Sequence, residues 1–241
     1  MERLDARVVG GGASVPGVHR PVAVAAEDPW VRWDWVADHR DDIQQRLVEH
    51  IELVGIALVI GLAVAVPVGI AVWRWRVLYP PVLAVMGVVY SIPSLALLAF
   101  LVPWTGLTTT TSEIMLVGYT LLILVRNTVA GLDSVPDDVR EAARGMGYSA
   151  NGQLLRVELP LAVPAIVAGI RITAVTTIGL ATITALIGQG GLGALIRDGL
   201  LRDFRTPIVV GSVLAVALAV VLDLALAGAQ RLLMPWNRRR A

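Results

Sequence analysis

The sequence contains no cysteine and no lysine, and only 5% of its residues are aromatic and 16% charged. Without cysteine there is no disulfide, no thiol nucleophile and no Cys-ligated metal. A soluble globular domain is about 25% charged. At 16% charged and 56% hydrophobic, this chain has too few charges to cover a water-facing surface. Every basic residue is Arg, a bias that fits a GC-rich coding sequence and says little about mechanism. The formal net charge of +1 gives no reason to expect nucleic acid as a partner. His19, His39 and His50 all precede the first long apolar run, so no histidine pair can do chemistry among the apolar segments. There is no Walker-type phosphate loop, no H-E-x-x-H and no G-x-S-x-G. The glycines around Gly188 look superficially like a nucleotide loop but lack its lysine. No catalytic residue, metal site or cofactor is expected. The first fifty residues hold no apolar run long enough for the core of a signal peptide, so insertion falls to internal segments.

What the chain does have is a set of long apolar runs. Roughly 20 mostly apolar residues are needed to cross a bilayer core. The runs are Leu53–Val72, Pro81–Val102, Glu113–Leu132, Arg171 to the glycines at Gly188, and Pro207–Gly228. They predict an all-α polytopic membrane bundle of about five spans, with a sixth open from the apolar stretch before Arg171. Arginines are favoured on the cytoplasmic side. Arg126 sits towards the end of the third run, Arg140, Arg144 and Arg156 lie between the third and fourth, and Arg231, Arg238, Arg239 and Arg240 close the chain, so both regions are expected in the cytoplasm. Arg197, Arg202 and Arg205 fall outside against that trend, accompanied by Asp198 and Asp203.

Residues 1–29 read as a disordered tail. Over 30–52, Ile43, Leu47, Ile51 and Val54 recur at helical spacing, which reads either as an amphipathic pre-membrane helix or as an extension of the first span. The membrane domain is expected over 53–231, with a basic cytoplasmic tail at 232–241. Within it, 137–160 reads DDVREAARGMGYSANGQLLRVELP. Asp137 and Asp138 suit a helix N-terminus. Val139, Ala142, Ala143 and Met146 give one apolar face, Gly145 and Gly147 interrupt it, and Pro160 ends a second short helix. Small residues on such a unit allow close docking into a groove of a soluble partner. An ordinary cytoplasmic loop helix is the competing reading.

Glu141-Ala142-Ala143, then Gly147, Val157 and Leu159-Pro160 at fixed spacing, resemble the signature loop of ABC importer permeases, which has Ile where this chain has Val157. The stretches YSIPSLALLAFL, LVRNTVAGL, RVELPLAVPAIVAGIRI and ALIGQGGLGALI are similar to the glycine betaine/carnitine/choline/proline-betaine branch. The resemblance implies a type I importer permease fold in a bacterial cell membrane, with no enzymatic activity of its own. It implies as partners a cytoplasmic ABC ATPase dimer, a second permease subunit and an extracytoplasmic binding protein, besides membrane lipid. It also implies that Glu141 contacts the ATPase, that Ala142 and Ala143 pack in its cleft, and that Gly147 supplies the turn. An importer for another small solute, such as an amino acid, and an intramembrane enzyme are the alternatives.

Pathway candidates are Thr173, Thr176, Thr177 and Thr184, which share a helix face, with Ser91 and Ser94 flanking Pro93. Helix–helix contact and a simple proline kink are the competing readings. Asp223, in the fifth run, is expected to pair with an Arg near the interface, and Arg171 to mark the inner boundary of its span. No aromatic cage for a trimethylammonium group lies within the runs.

Overall fold

The computed structural model describes residues 29–233. The expected tails, 1–29 and 232–241, fall outside it but for residue 29 and the last two residues of the final helix. No strand occurs among the described residues. The first element, α1 (Trp33–Asp38), is followed after a break at His39 by α2 (Arg40–Arg74), a single helix of 35 residues. Residues 40–52 are therefore the opening turns of α2. Trp35 meets Phe204 edge-on at 5.6 Å, which seats α1 on the far turn of the bundle.

The second apolar run is not one span but a bent pair, α3 (Tyr79–Ser91) and α4 (Ser94–Thr105), whose axes turn by 96°. At 13 and 12 residues neither half is long enough to cross alone. The cause is local. Proline disfavours helical backbone in the residue before it, and Ile92 accordingly sits at φ −68°, ψ 129°. The freed Ile92 carbonyl accepts a hydrogen bond from the Tyr119 hydroxyl, which makes the break a supported bend.

The helix α5 (Thr109–Asp133) is the axis of the bundle, with 56% of its most apolar stretch buried. Helix α2 crosses it at Gly61, Ala65 and Gly69, all buried and four residues apart. A Cβ on Gly61 would strike the Thr120 hydroxyl, and one on Gly69 would come within 2.7 Å of Thr128. In lipid the hydrophobic effect does not drive helices together, so small residues that permit close packing do this work.

After α5 come the short α6 (Asp137–Gly145) and α7 (Ala150–Gln153). A wide π-helical turn, Leu154–Glu158, leads from them into α8 (Leu159–Ala181). The π turn sits just before Pro160, which has no N–H for the carbonyl one turn back. Arg171 thus lies in the middle of α8, not at its inner boundary, and the apolar stretch before it is the first half of the same helix. That removes the sixth span. A 3-10 turn, Ile183–Ile187, and the glycine loop lead to α9 (Leu192–Leu201). The last helix, α10 (Arg205–Leu233), is peripheral, with 6% of its most apolar stretch buried. Among the described residues four helices are long and apolar enough to cross a membrane, or five if the bent pair is counted as one span.

Candidate functional site

The loop between α5 and α8 folds as two short helices at an angle, and backbone hydrogen bonds fix their junction. Gly147 has φ +84°. Its N–H bonds to Arg144 O at 2.9 Å while that of Tyr148 bonds to Ala143 O at 3.2 Å. This pair is the Schellman cap, which needs a left-handed residue where Gly147 stands. Ser149 then caps α7 by accepting from Gly152 N at 3.2 Å.

The cap decides which side chains face outward. Glu141, Ala142 and Gly147 are exposed, with Met146 (70%) and Leu155 (64%) the large apolar groups beside them. Ala143 is only 1% exposed and packs within this chain. An open hollow of about 550 Å³ is lined by Met146, Gly147, Tyr148, Ser149, Leu155 and Arg156, among others. Val157 and Leu159 are half-buried at the root of α8, and Pro160 is exposed.

Beneath this surface lies a polar knot that the motif does not announce. Glu158 is 3% exposed and accepts from Gln153 Nε2 at 2.7 Å. Arg140 Nε lies 3.3 Å from Glu158 Oε1, in range for an ion pair though not aligned for a hydrogen bond. The same guanidinium donates to Leu132 O at 2.7 Å and to Asp137 Oδ1 at 2.8 Å, and stands 5.7 Å over the ring of Trp73. Trp73 Nε1 donates to Asp133, which also pairs with Arg76. One arginine on α6 therefore ties the exposed helix to the ends of α2 and α5 and to the start of α8. In the sequence Arg140 reads only as a topogenic charge, and Glu158, two residues after Arg156 in a mostly apolar stretch, is the available signal.

The opposite end of the bundle carries a second knot of different chemistry. Glu49 accepts from Gly191 N at 2.9 Å. His50, fully buried, accepts at Nδ1 from Leu192 N (3.3 Å), which leaves Nε2 as the donor to Ile178 O at 3.2 Å. A Cβ on Gly190 would strike the Glu49 carboxylate, and one on Gly193 the Thr182 carbonyl. The glycine loop is thus a clasp around α2, not a nucleotide site.

Of the pathway candidates, Thr173, Thr177 and Thr184 are buried at helix contacts. The Thr173 hydroxyl donates to Gly169 O (2.8 Å) and that of Thr184 to Ala181 O (2.8 Å). Thr176 stays half-buried, and Ser91 and Ser94 flank the bend without being enclosed. Asp223 does find an arginine: Arg171 donates to it from Nε and Nη2, each at 2.8 Å. No cluster able to hold a metal ion occurs among the described residues.

Residues 57–239 match the family described as the binding-protein-dependent transport system inner membrane component. The chain is 36% identical over 199 residues to the choline transport system permease protein OpuBB of Bacillus subtilis (strain 168), covering 83% of this chain and 92% of that one. It is 39% identical over 186 residues to the carnitine transport permease protein OpuCB of Listeria monocytogenes, with coverage of 77% and 85%. The osmoprotectant import permease protein OsmW of Salmonella typhimurium is 34% identical over 208 residues, with coverage of 83% and 96%. Among solved structures, a chain of the inward-facing MetNI methionine ABC transporter superposes with a TM-score of 0.70 at 25% identity, covering 78% of this chain and 94% of that one.

Proposed function

The chain belongs to the family of binding-protein-dependent transport inner-membrane components, and on that premise we propose that it is the pore-forming subunit of an ATP-driven importer for small quaternary amines. It is a multi-pass membrane protein with the type I importer permease fold and a transport role. The end bearing α6 and α7 faces the cytoplasm, as does the C-terminus, whose helix reaches the same end where Gln230 approaches Pro164 O at 3.5 Å. ATP hydrolysis belongs to a separate ATPase dimer. A second permease subunit completes the pore, and an extracytoplasmic binding protein delivers the ligand to the end closed by the glycine clasp.

The observation that carries the coupling assignment is the capped helix pair with its outward apolar and acidic groups. Glu141, Ala142, Met146 and Leu155 meet the ATPase cleft, and Gly147 fixes the angle between the helices. Ala143, buried, supports this surface from beneath, while Val157, Leu159 and Pro160 root it in α8. When ATP draws the two ATPases together, the loop is pushed as a rigid piece. Arg140 passes that motion to α2, α5 and α8, and the paired permeases rock between inward- and outward-facing states. The residues left to face a pathway are Ser91, Ser94 and Thr176.

The quaternary amine reading rests on relatives that are 34–39% identical and named for choline, carnitine or osmoprotectants. The methionine in the name of the structural neighbour makes an amino acid the second reading, at lower identity. The deciding experiment is ATP-dependent uptake of labelled glycine betaine, carnitine, choline and methionine into vesicles holding this chain, its ATPase and its binding protein. Amine uptake that disappears in Glu141→Ala and Gly147→Val supports both assignments. Methionine uptake alone would replace the substrate, and an ATPase that does not bind the permease would overturn the whole reading.

A further inference from the structure

Arg171 and Asp223 form a charged pair in the body of the bundle. Arg171 stands twelve residues after the start of α8 and ten before its end, counting from Leu159 to Ala181. Asp223 stands eighteen residues after the start of α10 and ten before its end, counting from Arg205 to Leu233. Ionised groups at such depth are costly in lipid and face a bundle interior or a watered cavity. Here the two side chains remain 33% and 32% exposed on the protomer. Joining two helices does not require them, since a pair of apolar side chains of similar volume would serve at least as well.

The pair borders an open cavity of about 510 Å³ lined by Ala168, Arg171, Ile172, Val175, Thr176 and Asp223. Its chemistry is bipolar. Guanidinium and carboxylate lie side by side, with an apolar wall of Ala168, Ile172 and Val175 and one hydroxyl. The two mutual bonds use only Nε and Nη2 of a group with five N–H donors, and two of the roughly four acceptor positions of the carboxylate. Thr176 donates to Ile172 O at 2.9 Å, which leaves its oxygen able to accept.

On the quaternary amine reading above, we propose that this cavity is a transient station for a small zwitterion: Arg171 takes the ligand's carboxylate and Asp223 its fixed positive charge. A quaternary ammonium has no N–H to satisfy, so a carboxylate and aliphatic walls accommodate its methyl groups without an aromatic cage, and no aromatic side chain among the described residues lines this cavity. Binding exchanges part of an existing ion pair for two new ones. The net gain is small, which suits a ligand that must leave again.

The test compares initial uptake of glycine betaine and carnitine, which carry a carboxylate, with choline, which does not, in vesicles holding the complete importer. Arg171→Gln lowers betaine and carnitine uptake relative to choline by about tenfold, the worth of one charge-assisted hydrogen bond. Where the lone Asp223 prevents insertion, Arg171→Gln with Asp223→Asn leaves no unpaired charge and shifts the ratio the same way. An inserted variant whose ratio matches the wild type overturns the station and leaves the transport reading standing. A wild-type importer that carries choline alone also overturns it, since choline offers Arg171 no carboxylate. A wild type that carries none of the three overturns both.

Discussion

The two ends of the bundle are closed by different physics. At the end with α6 and α7, a charged side chain does the joining: Arg140 reaches Glu158, Asp137, Leu132 O and the face of Trp73 from one position. At the other end the joining is done by absence. Gly193 brings the backbone against the Thr182 carbonyl and Gly191 brings it against His50, where a Cβ would not fit without movement, while Gly190 sits against the flexible end of Glu49. A knot of long charged side chains can shift while keeping its partners, because a guanidinium has several donors and carboxylates several acceptors. A backbone clasp has one geometry. The comparison predicts that the charged end tolerates paired replacement and the glycine end tolerates none.

The largest effect should come from Glu158→Leu. It leaves Arg140 and Gln153 facing an apolar group in a nearly closed space, at a cost of about 3 kcal/mol, the lower part of the range for breaking a buried ion pair because Arg140 is still 17% exposed. Adding Arg140→Met should recover part of that loss, since the Nε edge of the guanidinium then no longer faces an apolar side chain, although its bonds to Asp137 and Leu132 O go with it. Thermal unfolding in detergent measures both. The double variant should nevertheless transport poorly for each ATP hydrolysed, because the tie between α6 and the spans is gone. If the double variant is no more stable than the single one, the Arg140–Glu158 contact is not what holds this end.

Next comes Gly193→Ala. Its Cβ would meet the Thr182 carbonyl, a backbone atom that cannot swing aside, and overpacking of this kind costs about 2 kcal/mol. Shortening Glu49 or His50 should not relieve the clash, in contrast to the rescue expected at the charged end. A stable Gly193→Ala protein would mean that the clasp yields and that the two ends are alike.

The legible and the hidden parts of the molecule divide along the same line. Long apolar runs announce spans because each is one continuous signal, and α2, α5 and α10 follow it. The signature spacing from Glu141 to Pro160 announces a helix–glycine–helix unit, and the Schellman cap at Gly147 shows why a glycine stands there. Three features stayed hidden. The break at Pro93 reads from the sequence as a proline kink, but its support by the Tyr119 hydroxyl, 26 residues further on, does not. Asp223 is expected to pair with an arginine, but that its partner is Arg171, in the middle of another helix, depends on how α8 and α10 pack. The clasp depends on a histidine and a glycine loop far apart in the chain. Each is a pairing between distant residues, which periodicity within one segment cannot reveal.

The smallest stability effect should be at Gly147, and it sharpens the comparison most. An alanine there would strike nothing within 4 Å, so the cost is conformational alone. Holding an L-residue at φ +84° costs about 1 kcal/mol. Asn, which tolerates this region better than Ala, should cost less. If the loop works through its shape, transport should follow the same order, with Gly147→Asn above Gly147→Ala, while ATPase binding weakens in proportion. If instead both variants lose transport equally, with stability and ATPase binding intact, the Cβ itself is what the partner's cleft refuses. The function of Gly147 would then be the same as that of Gly193, a gap left for another backbone, only with the backbone supplied by a different protein.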